Sequence, residues 1–286
     1  MNKPARVLAI AGSDSCGGAG VQADIKTITM LGGYAMTAIT AVTAQNTTGV
    51  QAIEVLSDTL LMEQVAACVE DIGVDAIKIG MLGNEELVRA VAAILVLMPE
   101  IGARSELGHR RRKPLPGVKR LPIVLDPVMV ATSGARLSDK ATTEAMISRL
   151  LPLATLLTPN LPELDILAET RCETVIEIKL AAAKIAATHG IHVLAKGGHL
   201  AGDRLIDILV SPAGEATEFV GSRIDTPHTH GTGCTLSSAI ATYLGMGLEL
   251  TEAIGKAREF VRAAIEAAPG FGAGNGPMGH QAVRET

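Results

Sequence analysis

The sequence predicts an α/β fold in which helices cover both faces of a mainly parallel sheet. Short apolar runs alternate along the chain with segments whose apolar residues recur at helical spacing, a pattern typical of parallel strands joined by crossover helices. The chain has 286 residues, of which 48% are hydrophobic and only 2% aromatic. This composition suits a buried sheet packed with Ala, Val, Ile and Leu. We therefore expect a single three-layer α/β/α domain over residues 1–286.

The predicted elements can be placed in chain order. Strands are predicted at Arg6–Ala11, Ala35–Val42, Ala76–Ile79, Ile123–Asp126, Thr155–Thr158, His192–Lys196 and Leu205–Val210. Helices are predicted at about Val21–Leu31 and at Leu60–Ile72, Glu85–Leu97, Asp139–Leu150, Val175–His189 and Thr251–Ala267. Ser138 and Thr251 are the expected N-caps of two of these helices. In such a fold the ligand site lies at the carboxyl ends of the strands.

Charge and cysteine usage exclude several classes of protein. The net charge of −5 argues against a general nucleic-acid binder. The four cysteines include no Cys-x-x-Cys pair, so neither a zinc site nor a disulfide framework is indicated and a cytoplasmic location is expected. The first apolar run breaks at Gly12, which is too short for a signal peptide core. The uncharged stretch 27–53 contains too many polar residues for a membrane span.

Two segments lie outside the strand and helix alternation. Residues 99–122 contain the basic run His109-Arg-Arg-Arg-Lys-Pro-Leu-Pro116 and have no periodic apolar face, which predicts an exposed loop whose charges are solvated. The glycine-rich tail from Gly270 to His280 is predicted to be flexible, either as a lid or as a frayed end.

The most informative segment joins a glycine-rich turn to a helix of small and apolar residues, from Asp225 to Ile240. The first N–H groups of a helix lack internal partners and carry the positive end of its dipole, so Gly231 and Gly233 allow a phosphate to approach closely. In that field we expect the pKa of the Cys234 thiol to be lowered, which favours proton transfer from a substrate hydroxyl. The alternative is a glycine hinge in which Cys234 is a small apolar residue.

A second glycine-rich loop follows the first strand. The segment from Gly12 to Gly20 joins that strand to a helix that carries Asp24 near its start. We expect the loop to fold over a small ligand, with Asp24 pointing at it. The glycine spacing matches neither the dinucleotide-binding pattern nor the Walker P-loop, so neither of those sites is supported. Further polar or glycine-containing motifs follow other predicted strands: Gln45, Gly80-Met81, Asp126-Pro127, Asn160 to Glu163, and Lys196-Gly197-Gly198.

Seven motifs together carry a family resemblance. They are Ala11-Gly-Ser-Asp-Ser-Cys-Gly-Gly-Ala-Gly-Val-Gln-Ala-Asp-Ile-Lys-Thr27, Thr43-Ala-Gln-Asn46, Lys78-Ile-Gly-Met-Leu82, Val124-Leu-Asp-Pro-Val-Met129, Thr158-Pro-Asn-Leu-Pro-Glu163, Lys196-Gly-Gly-His199 and Thr229-His-Gly-Thr-Gly-Cys-Thr235. With these motifs in this order, the chain resembles the hydroxymethylpyrimidine/phosphomethylpyrimidine kinases of thiamine biosynthesis, in the ribokinase-like superfamily. The resemblance implies a ribokinase-like fold, a homodimer, and ATP- and Mg²⁺-dependent phosphorylation of 4-amino-5-hydroxymethyl-2-methylpyrimidine and then of its monophosphate.

The resemblance also implies roles for residues around the pyrimidine. Gln45 offers the amide donor and the carbonyl acceptor that a ring nitrogen and its neighbouring amino group require, although a strand-end residue capping a turn is the alternative. Asp24 is expected to hold the polar edge of the substrate, against the alternative of an ordinary first-turn acid. The remaining expected substrate contacts are Gly12, Ala19 and the apolar walls Met81 and Val128.

On the nucleotide side the resemblance implies contacts to ATP and to magnesium. The expected ATP-binding residues are Asn160, Lys196, Thr229 and His230. Glu163 is expected to organise hydrated Mg²⁺, and Asp126 either supports that network or is only a turn residue before a proline. In-line transfer would take place at Gly231, Thr232, Gly233 and Cys234. Cys234 is either the base or a residue that shapes the site.

Some features depart from the family pattern, and two rival functions stay open. Where the family usually continues Ala-Lys-Ser-Gly-Asp, this chain has Ala131-Thr132-Ser133-Gly134-Ala135, so a positive and a negative charge are missing. A pyridoxine/pyridoxal kinase of the Cys-containing type is the closest rival, because vitamin B6 also presents a hydroxymethyl group on a planar ring. A non-catalytic pyrimidine sensor is the rival from another class.

Overall fold

The computed structural model describes residues 3–98, 121–130, 134, 137–198 and 204–283, and in these residues nine strands form one sheet. The strands are β1 (Arg6–Asp14), β2 (Tyr34–Asn46), β3 (Gly49–Val55), β4 (Ala76–Ile79), β5 (Ile123–Leu125), β6 (Leu156–Leu157), β7 (His192–Ala195), β8 (Arg204–Val210) and β9 (Ala216–Ser222). Their order is β3-β2-β1-β4-β5-β6-β7-β8-β9. The six strands from β2 to β7 in that order are parallel, whereas β3, β8 and β9 pair antiparallel at the edges.

Helices pack on both faces of this sheet. They are α1 (Gly20–Met30), α2 (Asp58–Asp71), α3 (Glu85–Leu97), α4 (Lys140–Ala145), α5 (Leu161–Ala168), α6 (Val175–His189), α7 (Thr232–Gly245) and α8 (Leu250–Glu266). Alternate residues of β1 face opposite layers: Val7 belongs to the apolar cluster that includes residues of α1, α7 and α8, whereas Leu8 belongs to the cluster that includes residues of α2 to α6. The ribokinase-like three-layer α/β/α fold, with its mainly parallel sheet, is therefore confirmed.

The structure differs from the predicted elements in several places. The strands β3 and β9 and the helix α5 were not predicted from the sequence. The helix α4 ends at Ala145 and continues as a π-helical turn over Met146–Leu150. Both expected N-caps are wrong by one or two residues. Asp139, rather than Ser138, caps α4 by accepting from the backbone N–H of Thr142, and Glu249 precedes α8, so that Thr251 lies inside that helix.

The glycine-rich tail is packed rather than frayed. The backbone N–H of Gly279 donates to Ala264 O at 2.8 Å, and the N–H of His230 donates to Gly276 O at 3.1 Å. Met278 and His280 are buried. The predicted basic loop, in contrast, lies almost entirely outside the described residues, as do Thr132 and Ala135 of the segment that departs from the family pattern. Within the described ranges, no helix combines the length and the apolar character that crossing a bilayer requires.

Candidate active site

A cavity of about 920 Å³ lies at the carboxyl ends of the parallel strands. It is where an open parallel sheet is expected to bind its ligand. Its lining includes every sequence-predicted site residue except Asp24: Gly12, Ala19, Gln45, Met81, Asp126, Val128, Asn160, Glu163, Lys196, Thr229, His230, Gly231, Thr232, Gly233 and Cys234. The fold therefore brings together residues that are separated by more than two hundred positions in the chain.

Asp14 organises the loop between β1 and α1. Its carboxylate accepts the backbone N–H groups of Gly18 at 3.0 Å and Ala19 at 2.7 Å. Burial opposes ionisation, but hydrogen bonds from His230 and from the Ala19 amide outweigh it and lower the pKa of Asp14 to about 2. Asp14 lines the cavity and was not among the predicted site residues. The available signal was an aspartate placed to accept the amides of a following glycine turn.

His230 lies between the glycine loop after β1 and the end of β2. Its Nε2 atom is 2.9 Å from Asp14 Oδ2 and 3.5 Å from Gln45 Nε2. The ring packs so closely against Gly18 that a Cβ at that glycine would collide with it. The buried ring is held between the glycine loop and Gln45, and the expected contact of His230 with ATP stays a prediction.

The start of α7 is fitted against the same glycine loop. Gly231 precedes the helix with a φ of 83°, in the left-handed region that favours glycine, and a Cβ there would collide with Gly18 O. A Cβ on Gly233 would lie 3.3 Å from Lys196 Nζ and 3.4 Å from Asp126 Oδ2. The first turn of α7 thus lies directly over the pair formed by Asp126 and Lys196.

Cys234 has a protonated thiol at neutral pH. Burial, which the Lys78 charge only partly offsets, raises the pKa of Cys234 to about 11. The expectation of a lowered pKa was therefore wrong. The helix N-terminus favours the thiolate, but burial and the nearby carboxylates of Asp24 and Asp126 disfavour it more strongly.

Asp24 does not reach the cavity. Both of its carboxylate oxygens are 2.9 Å from Lys78 Nζ, and Ser238 Oγ donates to Oδ1 at 2.7 Å. Both side chains of the Asp24–Lys78 pair are 0% exposed. Burial alone would lower the pKa of Lys78, but the Asp24 charge raises it, so the ammonium is retained. The predicted substrate contact of Asp24 is thus corrected to a buried ion pair that joins α1, β4 and α7.

A second group of charged residues lies at the other half of the cavity. Lys196 Nζ is 3.0 Å from Asp126 Oδ1, which also accepts from Thr158 Oγ1 at 3.2 Å. Glu163 and Asn160 form a capping box that starts α5, each side chain accepting the backbone N–H of the other. Burial raises the pKa of Glu163 to about 7, despite the opposing charge of Lys196. The carboxylates of Asp126 and Glu163 are hard oxygen donors, which fit a hydrated Mg²⁺.

The cavity extends beyond the predicted residues, between β8, β9 and α8. Arg258 Nε donates to Asp207 Oδ2 at 2.8 Å, and Arg262 Nη1 donates to Ser222 O at 3.0 Å. All four residues line the cavity. Two arginines four positions apart on one helix face were the available signal. The strand against which they pack, β9, has mostly exposed residues and therefore gives no clear strand pattern in the sequence.

Known proteins resemble this chain in sequence over most of its length. A sequence model of the family described as phosphomethylpyrimidine kinase matches residues 14–102 and 112–279. A hydroxymethylpyrimidine/phosphomethylpyrimidine kinase of Streptomyces coelicolor is 42% identical over 277 residues, which are 97% of this chain and 94% of that protein. A thiamine biosynthesis bifunctional protein of Geobacter sulfurreducens is 43% identical over 96% of this chain, but this chain spans only 52% of that relative.

A solved structure has the same fold. The ADP complex of Bacillus subtilis pyridoxal kinase superposes with a TM-score of 0.82 and 33% sequence identity, and 98% of each chain is covered. The cavity described above therefore lies in a fold that another protein uses to bind a nucleotide.

Proposed function

We propose, because the chain belongs to the phosphomethylpyrimidine kinase family, that it transfers the γ-phosphoryl group of ATP to 4-amino-5-hydroxymethyl-2-methylpyrimidine and then to the resulting monophosphate. The observation that carries this proposal is the position of the first turn of α7. It borders both the half of the cavity with Gln45 and Met81 and the half with Lys196 and Glu163. A group passing between two ligands in these halves has to cross the start of α7.

The pyrimidine half offers a ring-sized site with a polar edge. Met81 and Val128 supply apolar surface, and Gln45 supplies both an amide donor and a carbonyl acceptor. The amide of Gln45 lies beside the buried His230, which limits its freedom. Oriented in this way, the substrate hydroxyl would face Cys234 and the start of α7, which is the arrangement that in-line transfer requires.

The nucleotide half supplies positive charge and oxygen ligands. Lys196, paired with Asp126, is placed to bind phosphate oxygens, and the backbone N–H groups at the start of α7 would stabilise charge on the transferred group. Asp126 and Glu163 would hold hydrated Mg²⁺. When bound, this ion would supply positive charge that offsets the negative charge of the phosphates.

Cys234 is the residue on this chain that would take the proton of the attacking hydroxyl. Its side chain belongs to the first turn of α7 and lines the cavity. With a pKa of about 11, only a small fraction of the thiol is ionised at neutral pH, but that fraction is a strong base. Phosphoryl transfer depends mostly on positioning and charge stabilisation, so a weakly populated base is compatible with turnover.

A vitamin B6 kinase is the second candidate, because the ADP complex with the same fold is a pyridoxal kinase. The expectations of a homodimer and of a cytoplasmic location belong to the proposal as well. Light scattering of the purified protein would test the first, since a monomer at the concentrations used for turnover would contradict it.

The experiment that tests the function compares turnover of hydroxymethylpyrimidine, its monophosphate and pyridoxal in parallel, with ATP and Mg²⁺. We expect both pyrimidine species to be turned over with a higher kcat/KM than pyridoxal. A Gln45→Leu variant should lose at least about tenfold in kcat/KM for the pyrimidine, because a buried polar edge of the substrate then lacks its partner. Turnover of pyridoxal alone would establish the B6 kinase, and folded protein inactive on all three substrates would indicate a sensor.

A further inference from the structure

Three side chains of different chemistry converge where the glycine loop meets the turn before α7. The Asp14 Oδ2 atom is 2.9 Å from His230 Nε2 and 3.4 Å from Cys16 Sγ. One ligand atom from each of these three residues lies within 4.8 Å of the other two. The proposed phosphoryl transfer assigns no proton transfer and no Mg²⁺ contact to any of the three. Carboxylate, imidazole and thiolate together form a typical donor set for Zn²⁺ and chemically similar ions.

The spacing of these atoms is close to that of a metal-bound set. Zinc bonds of about 2.3 Å to sulfur and about 2.0 Å to oxygen or nitrogen, at tetrahedral angles, place sulfur and oxygen about 3.5 Å apart and nitrogen and oxygen about 3.3 Å apart. The distances in this structure, 3.4 Å and 2.9 Å, differ from these values by a few tenths of an ångström. The third pair, the Cys16 sulfur and a ring nitrogen of His230, lies within 4.8 Å, so the partly exposed Cys16 side chain has to move toward His230 to admit an ion.

The surroundings hold two of the three ligands in place. Asp14 and His230 have side chains only 3% and 5% exposed. The backbone N–H groups of Gly18 and Ala19 donate to Asp14 Oδ2, and that of Cys16 donates to Oδ1 at 3.0 Å, so both oxygens of the carboxylate are fixed. Cys16 is partly exposed, which gives an ion access from solvent. Asp14 and His230 also line the cavity, so a water molecule can complete a four-coordinate site. Second-shell hydrogen bonds of this kind orient ligands in natural metal sites.

We propose that Asp14, Cys16 and His230 form a binding site for a thiophilic divalent ion of the Zn²⁺ type, separate from the Mg²⁺ of the nucleotide half. Binding releases the proton that the Cys16 thiol shares with Asp14. It also requires the ring tautomer of His230 that carries its proton on Nδ1, so that Nε2 binds the ion in place of its hydrogen bond to Asp14. Mg²⁺ does not compete, because it prefers oxygen ligands and octahedral geometry. An ion held there joins the loop before α1 to the turn before α7.

The test uses Co²⁺ as a spectroscopic probe on the full chain. Titration of metal-free protein should give one saturable site with sulfur-to-cobalt charge-transfer absorption, which Zn²⁺ abolishes and excess Mg²⁺ leaves unchanged. In Cys16→Ser this absorption should disappear, and Co²⁺ affinity should fall at least about tenfold. Cys68→Ser is the matched control, because Cys68 is a partly exposed cysteine on α2, and it should keep the wild-type spectrum.

Three outcomes would overturn the proposal. They are the absence of saturable Co²⁺ binding by the wild type, binding without a thiolate band, and a band that survives in Cys16→Ser. Thermal unfolding of both variants, together with a Cys16→Ala variant, verifies that loss of binding does not come from loss of folding. The spectrum does not depend on turnover, so a failed metal site leaves the kinase proposal standing, and the reverse also holds.

Discussion

Cys234 combines a position suited to a base with a pKa that keeps it protonated. If its thiolate takes the substrate proton, turnover should follow the ionised fraction, and kcat/KM should rise by about tenfold per pH unit between about pH 8 and about pH 10. This window lies above the pKa of about 7 of Glu163 and below the pKa of about 11 of Cys234. The measurement is a pH–rate profile of the wild type.

The matched profile is that of Cys234→Ala. Its residual activity should be lower by two or more orders of magnitude in the upper part of the window and should not rise with pH. A flat profile in the wild type would contradict proton transfer to Cys234. Transition-state stabilisation would then come from the backbone N–H groups of α7 and from Lys196.

At the residue scale, the sequence predicted which residues line the cavity better than it predicted their side-chain contacts. The cavity contains the motif residues, because the ends of parallel strands meet at one edge of the sheet. The sequence did not reveal that Asp24 is buried against Lys78, since the two residues belong to different elements and only the fold makes them neighbours. The cluster of Asp14, Cys16 and His230 also could not be found from the spacing of the cysteines, because His230 is brought to Asp14 and Cys16 only by the fold.

At the scale of elements, Gly231 positions α7 against the glycine loop. Gly231 and Gly214 have nearly the same φ, 83° and 85°, but only at Gly231 does an added Cβ meet backbone, whereas nothing lies within 4 Å of one at Gly214. We expect Gly214→Ala to cost about 1–2 kcal/mol in unfolding free energy from its positive φ alone.

Gly231→Ala adds a backbone clash to the same conformational penalty. We expect it to cost about 3–5 kcal/mol and to abolish turnover, because the start of α7 must move away from Gly18. Urea unfolding and turnover of the two variants measure whether Gly231→Ala is more destabilising than Gly214→Ala and whether it alone abolishes activity. Equal destabilisation of both, with activity retained, would mean that the contact between Gly231 and Gly18 is not needed.

The contact of the tail with α7 should depend on pH. His280 is 1% exposed, and its Nε2 atom is 2.8 Å from Thr235 Oγ1. Burial lowers the pKa of His280 from 6.5 to about 4, so the unfolded chain binds a proton more readily than the folded protein between these values. The stabilisation is complete above about pH 6.5 and is lost as the pH falls toward about 4.

The measurement is the free energy of unfolding of the wild type and of His280→Gln across this window. The wild type should lose about 3 kcal/mol more than the variant on acidification, since one pKa unit corresponds to about 1.4 kcal/mol. Parallel curves for the two proteins would show that His280 does not titrate as a buried neutral imidazole. The difference in unfolding free energy between the two proteins isolates the effect of His280 from that of other groups, such as Glu163, that titrate in a similar pH range.

Elements with strong periodicity were predicted well, and the others were missed for physical reasons. Glu85–Leu97 and Val175–His189 were predicted at their observed bounds, because each carries a continuous apolar face. β3 is an edge strand with mostly exposed residues and therefore lacks an alternating pattern. α5 has only eight residues with a proline in its first turn, which reads as a loop in the sequence.

At the scale of the whole molecule, the Asp24–Lys78 pair links α1, β4 and α7 in the buried core. Removing one member leaves an uncompensated buried charge, so Lys78→Met should cost about 3–5 kcal/mol in unfolding free energy. The double variant Asp24→Asn/Lys78→Met should recover much of this loss. The exposed pair of Lys140 and Glu144 is the control, and Lys140→Met should cost less than about 0.5 kcal/mol.

Urea unfolding of these variants measures the coupling. A cost for Lys78→Met no larger than that for Lys140→Met would contradict the buried pair. A double variant that loses more unfolding free energy than Lys78→Met and Asp24→Asn lose together would contradict it as well. The expected result would show that Asp24 stabilises the packing of α7 against α1 and β4, although it does not line the cavity.

We expect the protein to use one cavity to phosphorylate the hydroxyl group of the pyrimidine and then the phosphate group formed in the first step. The most direct measurement is mass-spectrometric detection of products after incubation of the protein with hydroxymethylpyrimidine, ATP and Mg²⁺, with Cys234→Ala in parallel. We expect the monophosphate to appear first and to be converted to the diphosphate, and both to be formed at least about a hundredfold more slowly by the variant. The absence of any phosphorylated pyrimidine from folded wild-type protein would contradict the claim.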